Sequence, residues 1–306
     1  MNIPQAEKEE PLFRIGLDLG GTKTESILLD PDGAEIFRER RPTPAAAGYD
    51  AILDNLCDLI RATQARVSTD VRPAIGIGIP GTIDAGTGLV RNANTTILIA
   101  HPLLRDIEER LDRKVMVQND ANCFTLAEAR AGAGNKADLV FGVIMGTGCG
   151  GGIAEKGHVH SGPHGIAGEW GHVSIDPAGP ECYCGKRGCI ETLISGSGMQ
   201  RAFAAKYKRT LTMEEIVAGA RSGDNDCVQA FDQFLDDFGR ALGGLISILD
   251  PDAVILGGGL SNINELYDRG LERVRFYAFH ENLRTPILKN TLGDSAGVIG
   301  AAWVGI

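Results

Sequence analysis

Residues 14–33 read RIGLDLGGTKTESILLDPDG and residues 139–157 read LVFGVIMGTGCGGGIAEKG. In each stretch a buried apolar run stops at glycines, a second apolar run follows, and a further turn (Pro31-Asp32-Gly33 or Lys156-Gly157) reverses the chain again. Short runs of aliphatic residues bounded by Gly and Pro are strand signals, and glycine supplies the backbone freedom that a tight turn requires. The same strand, glycine turn, strand and turn occur twice, roughly one domain length apart, which reads as an internal duplication.

Outward from the first copy, apolar residues at helical spacing predict a helix over 49–66, and Ala74 to Ile79 (AIGIGI) predicts a buried strand ending at Pro80-Gly81. A short helix over 103–111, a strand over 115–117 and a helix over 121–131 follow. Beyond the second copy, Phe231, Phe234, Leu235, Phe238, Leu242, Leu245, Ile246 and Leu249 recur three and four positions apart, a long amphipathic helix that must stop at Asp250-Pro251. The strand Ala253 to Leu256 then runs into Gly257-Gly258-Gly259. Alternating strands and helices give an α/β class. The expected organisation is a frayed segment 1–13, an N-terminal α/β domain 14–120 and a C-terminal α/β domain 121–306. The second domain carries an irregular Gly-, Cys- and His-rich loop over 158–198, and its last helix packs back on the first. A ligand is expected in the cleft between the two domains.

The 306 residues are 43% hydrophobic, with 30 Lys plus Arg against 40 Asp plus Glu, a formal net charge of -10, and no basic cluster. That balance argues against nucleic acid as a partner, because polyanion binding needs a cationic footprint. The N-terminal MNIPQAEKEEPLF lacks the order of a signal peptide, and no apolar run is long enough to span a bilayer. The expectation is a cytoplasmic protein with no membrane partner.

Gly16 to Lys23 is spaced almost like a P-loop, but Thr22 precedes Lys23 and Asp18 sits inside it, so a Walker motif is the poorer reading. A hairpin turn with Gly20 and Gly21 can still aim backbone amides at phosphate, with Thr22 adding its hydroxyl. Asp18 would repel phosphate unless a divalent cation intervened, which makes it the candidate Mg2+ ligand. An ordinary tight β-turn explains the same residues. A second such turn, with Thr147, Gly148, Cys149, Gly150, Gly151 and Gly152, suggests two turns gripping one phosphate chain. Gly257 and Gly258 then either approach a flat base or serve helix-to-strand packing.

Asn119-Asp120 ends a strand and begins a helix, so Asp120 reads either as a helix N-cap or as a general base, with Asn119 bonding a substrate hydroxyl. Cys182, Cys184 and Cys189, with His172 ten residues before the first, supply the donors of a closed tetrahedral zinc site; His158, His160 and His164 compete for the fourth place. A metal there would fix Glu169 and Glu191, two carboxylates able to accept hydrogen bonds from the hydroxyls of a ligand. Cys57, Cys123 and Cys227 read as packing residues.

Together, Asp18-Leu-Gly-Gly-Thr22, Asn119-Asp120, Gly146-Thr-Gly148, Glu169-Trp-Gly-His172, Cys182-x-Cys184-Gly-x-x-Gly-Cys189-x-Glu191 and Gly257-Gly-Gly259 resemble the ROK (repressor, open reading frame, kinase) family. The resemblance runs from about Ile15 to the end. It implies the duplicated ribonuclease H-like fold of the actin/Hsp70/sugar-kinase superfamily, with Asp120 as catalytic base and ATP on the glycine turns, Gly16, Asp18 and Gly20 to Lys23 included. It further implies that Asn119, Asp120, Glu169, His172 and Glu191 surround the sugar and that His172 and the three cysteines hold structural Zn2+. Repressor members carry an additional N-terminal helix-turn-helix domain; about a dozen residues precede the first strand here, so none is expected.

Within the family, Asn92-Ala-Asn94-Thr-Thr96, Gly146-Thr-Gly-Cys149-Gly and Gly168-Glu-Trp-Gly-His172 look most like bacterial fructokinases of the manno(fructo)kinase kind, which adds Asn94 to the sugar site. The implied activity is MgATP-dependent phosphorylation of D-fructose at its 6-hydroxyl, with mannose as a further acceptor. The alternatives are an N-acetylglucosamine kinase or glucokinase of the same family and, from another class, a sugar-responsive regulator without catalysis. The resemblance also implies a homodimer.

Overall fold

The computed structural model describes residues 12–305. The segment expected to fray, 1–13, lies outside the described residues apart from Leu12 and Phe13. By its internal contacts the chain divides into two compact units, one of residues 12–123 with 297–305 and one of residues 124–296.

The first unit opens with the meander β1 (Arg14–Leu19), β2 (Lys23–Leu29) and β3 (Glu35–Pro42). Helix α1 (Tyr49–Gln64) leads into β4 (Ala74–Ile79), the small ribbon β5 (Thr82–Ile83) and β6 (Val90–Arg91), helix α2 (Leu103–Leu111) and β7 (Met116–Asn119). The sheet order is β3-β2-β1-β4-β7. The meander pairs are antiparallel, whereas β1–β4 and β4–β7 are parallel, since their connections run through helices. Ile15, Leu17, Ile75 and Ile77 on the sheet and Leu53, Leu56 and Ile60 on α1 share one buried core. Helix α3 (Asp120–Ala131) starts where β7 ends and carries the chain into the second unit.

That unit repeats the plan. Strands β8 (Leu139–Met145), β9 (Cys149–Glu155) and β10 (His158–Val159) form its meander, and helices α4 (Ile190–Ile194), α5 (Gly196–Tyr207), α6 (Met213–Ser222) and α7 (Asn225–Leu249) follow. Strand β11 (Ala253–Gly257), helix α8 (Arg269–Tyr277) and β12 (Ile287–Lys289) complete it, in sheet order β10-β9-β8-β11-β12. Again two antiparallel pairings lie beside two parallel ones. Two sheets with the same sequence of pairings are the physical form of the duplication read from the two glycine-punctuated stretches. Helix α7 buries Phe231, Phe234, Leu235, Phe238, Leu242 and Ile246. Asp224 caps its start, accepting from Cys227 N–H at 3.1 Å, and it ends at Leu249, ahead of Pro251, which has no N–H to donate.

Two expectations need correction. The glycine run 146–152 is not one turn. Only Gly146-Thr147-Gly148 reverses the chain, while Cys149, Gly150, Gly151 and Gly152 are paired residues of β9 facing β8. The absence of side chains lets another segment lie against the strand: a Cβ on Gly151 would sit 2.8 Å from Trp170 Cδ1 and 3.0 Å from Gly168 O. The loop expected to be irregular as far as residue 198 is helical from Ile190. Ile190, Thr192 and Ile194 of α4 are buried, and Ser195 caps α5 by accepting from Gly198 N–H at 3.0 Å.

The last helix, α9 (Ala296–Val304), returns to the first unit and lies on the sheet at backbone contact distance. A Cβ on Gly16 would fall 2.2 Å from Val298 O and one on Gly76 1.9 Å from Ala301 O. Gly16 was expected among the nucleotide contacts; its position inside β1, covered by α9, makes it a packing residue instead. Among the described residues no helix is long and apolar enough to cross a membrane.

Gly76→Ala therefore forces α9 off the sheet and is expected to cost on the order of 2–4 kcal/mol, read as a fall in denaturation midpoint. Gly244, inside α7, is the opposite case, since a Cβ on it would meet nothing within 4 Å. Gly244→Ala is expected to stabilise by about 0.5–1 kcal/mol.

Candidate active site

In the first unit, the β7–α3 junction presents Asn119 and Asp120. The Asn119 Oδ1 accepts from Ala121 N–H at 2.9 Å and Asn122 N–H at 3.4 Å, and its Nδ2 donates to Gly81 O at 3.3 Å. Asn119 is thus the helix cap, not Asp120. Asp120 is the first helical residue, its Oδ1 accepting from Ala121 N–H at 2.8 Å, where the helix dipole favours an anion. The parallel register sets Ile79 opposite Asn119, so the Pro80-Gly81 turn lies beside them. The exposed Asn94 joins the same turn through its N–H, which donates to Pro80 O at 3.0 Å. Asn94 and Asn119 are thereby tied to one short segment, next to Asp120.

Asp18 is the last residue but one of β1, on the same unit. Burial raises its carboxyl from the ordinary 3.8 to about 6, the nearby Glu25 adds to the effect, and Lys23 and Arg40 oppose it. A Cβ on Gly78 would touch both Cys123 Sγ, at 3.2 Å, and Asp18 Oδ1, at 3.6 Å. The buried Cys123 thiol is pushed well up by desolvation and by the charges of Asp18 and Asp120, which places both carboxylates around it. Among the described residues Asp18 makes no ion pair, although Lys23 and Arg40 lie near enough to act on it, and a desolvated carboxylate fits a divalent ion, so Asp18 is suited to hold Mg2+.

The first glycine turn is locked from below. Gly20 N–H donates to Lys23 O at 2.9 Å, Thr43 N–H donates to Thr22 O at 2.9 Å, and the Thr43 hydroxyl donates to Gly20 O at 2.7 Å. Gly21, Thr22 and Lys23 face solvent above that lock.

In the second unit, the Gly146–Gly148 turn lies beside Glu191, whose Oε2 accepts from Cys149 N–H at 3.1 Å. The Cys149 thiol is buried and raised by desolvation and by Glu191, so it acts as packing. Glu169 is raised by burial, with His172 lowering it and Glu191 raising it, which places the three side chains in one neighbourhood. The third glycine set is occupied by packing: a Cβ on Gly257 would lie 2.4 Å from the Phe124 ring, and one on Gly258 2.3 Å from Met145 O. Gly259 alone meets nothing within 4 Å. The packing explanation therefore accounts for Gly257 and Gly258.

His172, Cys182, Cys184 and Cys189 bring their donor atoms within 4.8 Å of one another; His158, His160 and His164 are not in the group. Cys182 Sγ is 3.6 Å from His172 Nδ1, and Cys184 Sγ is 3.6 Å from Cys189 Sγ. Bonds of about 2.3 Å around a tetrahedral zinc imply sulfur–sulfur edges of about 3.8 Å, whereas a disulfide needs about 2.05 Å. The donor set fits zinc. Gly188 makes the tight knuckle possible, with φ of +58° and no room for a Cβ beside Asp176 O.

Two residues here escaped the sequence reading. Tyr183 is 78% exposed and its hydroxyl lies 2.9 Å from His172 Nε2, so the nitrogen turned away from the cysteines already has a partner. Its place between two cysteines was the only signal. Glu128, fully buried on α3, accepts from Ala133, Thr291 and Leu292 N–H groups at 2.8–3.2 Å and anchors the strand-end after β12. A charged residue among Leu126, Ala127 and Ala129 was the available hint.

A profile of the ROK family matches residues 14–305. An N-acetyl-D-glucosamine kinase of Yersinia pseudotuberculosis is 37% identical over 299 residues, covering 94% of this chain and 97% of the relative. Among solved structures, a ROK hexokinase from Thermus thermophilus superposes with a TM-score of 0.87 at 30% identity, covering 96% of this chain and 97% of that one. A ROK family glucokinase from Streptomyces griseus, in complex with glucose and AMPPNP, gives 0.75 at 31% identity over 95% and 98%.

The raised Asp18 carboxyl has a consequence for stability. The unfolded chain titrates this group near 3.8 and the folded one near 6, so stability falls as pH rises between those values and the full penalty persists above them. Asp18→Asn is expected to be more stable than the parent at pH 8, by up to about 3 kcal/mol, with most of the difference lost at pH 4. Urea unfolding at the two pH values measures it; equal differences at both would contradict the assignment. Added Mg2+ should narrow the gap at pH 8.

Proposed function

This chain belongs to the ROK family, among its sugar kinases, and we propose that it transfers the γ-phosphoryl group of ATP to the 6-hydroxyl of a hexose, with N-acetyl-D-glucosamine as preferred acceptor. The observation that carries the acceptor is the 37% identity, over nearly the full length of both chains, to the Yersinia N-acetyl-D-glucosamine kinase. The sequence alone ranked fructose first. That ranking rests on three short stretches, Asn92 to Thr96, Gly146 to Gly150 and Gly168 to His172, and whole-length similarity outweighs it. Fructose stays as the second reading because those stretches include Asn94 and Glu169, both assigned to the sugar.

The roles follow from the chemistry each group offers. Asp120 accepts the proton of the attacking sugar hydroxyl as its oxygen bonds to the γ-phosphorus and the bond to the β,γ-bridging oxygen breaks, giving ADP and the sugar phosphate. It stands at a helix start, where the helix dipole favours an anion. Amides of the turns at Gly20 to Thr22 and Gly146 to Gly148 bond the phosphates. Asp18 would hold Mg2+, which offsets phosphate charge when bound. Glu169, Glu191 and Asn94 accept or donate hydrogen bonds to the sugar hydroxyls. Asn119 acts mainly by fixing the start of α3, because its side chain is engaged with the helix amides and with Gly81 O. His172 turns Nδ1 to the three cysteines and would hold zinc with them, which keeps the loop bearing Glu169 and Glu191 in shape.

The test is a panel of kcat/KM values for N-acetyl-D-glucosamine, fructose, mannose and glucose with MgATP. The expected order places N-acetyl-D-glucosamine first; a lead of tenfold or more for fructose would reverse the two readings, and no turnover of any hexose would remove both. Asp120→Asn is expected to lower kcat by roughly 10^2- to 10^4-fold with little change in sugar KM. For the metal, protein purified without an affinity tag that binds metal should carry about one zinc per chain and lose thermal stability on chelation. Less than half an equivalent, with unchanged stability, would contradict the zinc assignment.

A further inference from the structure

We infer that Glu191 is a positioning residue for the Gly146–Cys149 turn, so that the segment following the cysteine cluster shapes the nucleotide side of the site as well as the sugar side. The inference rests on the reading that this turn holds ATP phosphates. Both sides of the turn are fastened to one short stretch, 191–197. On the entry side, Gly146 O accepts from Gly196 N–H at 2.8 Å and Thr147 O from Ser197 N–H at 3.4 Å. On the exit side, Cys149 N–H donates to Glu191 Oε2 at 3.1 Å.

Glycine at 148 is part of the same device. A Cβ there would lie 2.8 Å from Glu191 Oε2, so a larger residue would push the carboxylate off the Cys149 amide. Gly171, beside the metal-ligating His172, has Cys149 O where its Cβ would be, at 2.1 Å, and the Trp170 indole N–H donates to Gly150 O at 3.0 Å. Residues at both ends of the Cys/His segment therefore converge on the turn and its first strand residues. The fastening to Glu191 is the one made to the turn by a side chain, through an acceptor oxygen. Among the described residues Oε2 takes this single hydrogen bond and Oε1 takes none, which leaves the second oxygen for a sugar hydroxyl. One carboxylate can then serve both substrates, orienting the phosphate turn with one oxygen and the acceptor with the other.

Isothermal titration with the imido-bridged ATP analogue AMPPNP and Mg2+, in the absence of any sugar, tests this directly. Glu191→Ala is expected to weaken the analogue by about 5- to 20-fold, whereas Glu191→Gln, whose amide oxygen can still accept from Cys149 N–H, stays within about twofold of the parent. Glu169→Ala, which removes a neighbouring carboxylate with no hydrogen bond to the turn, is also expected to stay within twofold. Gly148→Ala should weaken the analogue, and less so in the Glu191→Ala background, because the carboxylate it collides with is gone. Analogue affinity unchanged in Glu191→Ala, an equal loss in Glu169→Ala, or strict additivity of the last pair would each overturn the proposal. A parent protein that binds the analogue but phosphorylates no sugar would remove the kinase reading while leaving this comparison intact. A parent that binds no analogue would remove both.

Discussion

Three glycines in the first unit mark places where one backbone lies directly on another. Cβ atoms on Gly16, Gly76 and Gly300 would fall 2.2, 1.9 and 1.7 Å from the carbonyl oxygens of Val298, Ala301 and Cys123. Because no side chain separates them, α9 is held against β1 and β4 and against the first turn of α3, and small displacements are resisted by hard-core repulsion. The two carboxylates on this unit inherit that rigidity. Asp18, the last residue but one of β1, lies against Gly297, and Asp120 opens the helix whose Cys123 carbonyl abuts Gly300. Packing without side chains thus fixes the groups assigned to the chemistry, and the desolvation that raises Asp18 follows from the same close layers.

The second unit reaches a comparable fixation by different means. Its glycine turn is not covered by a helix but fastened by hydrogen bonds from the segments flanking the Cys/His cluster. A loop of little apolar content cannot hold such a geometry through burial, so four metal-ligand bonds would take the place of a core. That division of labour explains why a Cys/His cluster sits beside residues assigned to the substrates, and why Gly148, Gly151 and Gly171 all lack side chains within one small volume.

Much of this was legible in the sequence because the signals are local. Buried strands punctuated by glycine, the three- and four-residue spacing of α7 and the grouping of three cysteines each follow from the chemistry of short stretches. What was not legible depends on partners distant in sequence. Cys149 to Gly152 read as turn because glycine favours turns, yet Trp170 and Gly168 lie on that strand and require its bareness. Gly16 looked like a phosphate contact, but α9, at the far end of the chain, covers it. Asn119 and Asp120 are both good caps, and the register of β7 against β4 decides that Asn119 takes the role. Asp120, which the sequence left open between cap and base, is instead the first residue of the helix.

Phosphoryl transfer to a hexose 6-hydroxyl is the reaction proposed for this rigid carboxylate and its two anchored turns. The most direct measurement is NMR of the product formed from ATP, Mg2+ and N-acetyl-D-glucosamine, with the phosphorus resonance correlated to the sugar protons. Coupling to the C6 protons and one ADP per sugar phosphate are the expected result. Phosphate found at another carbon, or ADP accumulating with free phosphate and unmodified sugar, would contradict it.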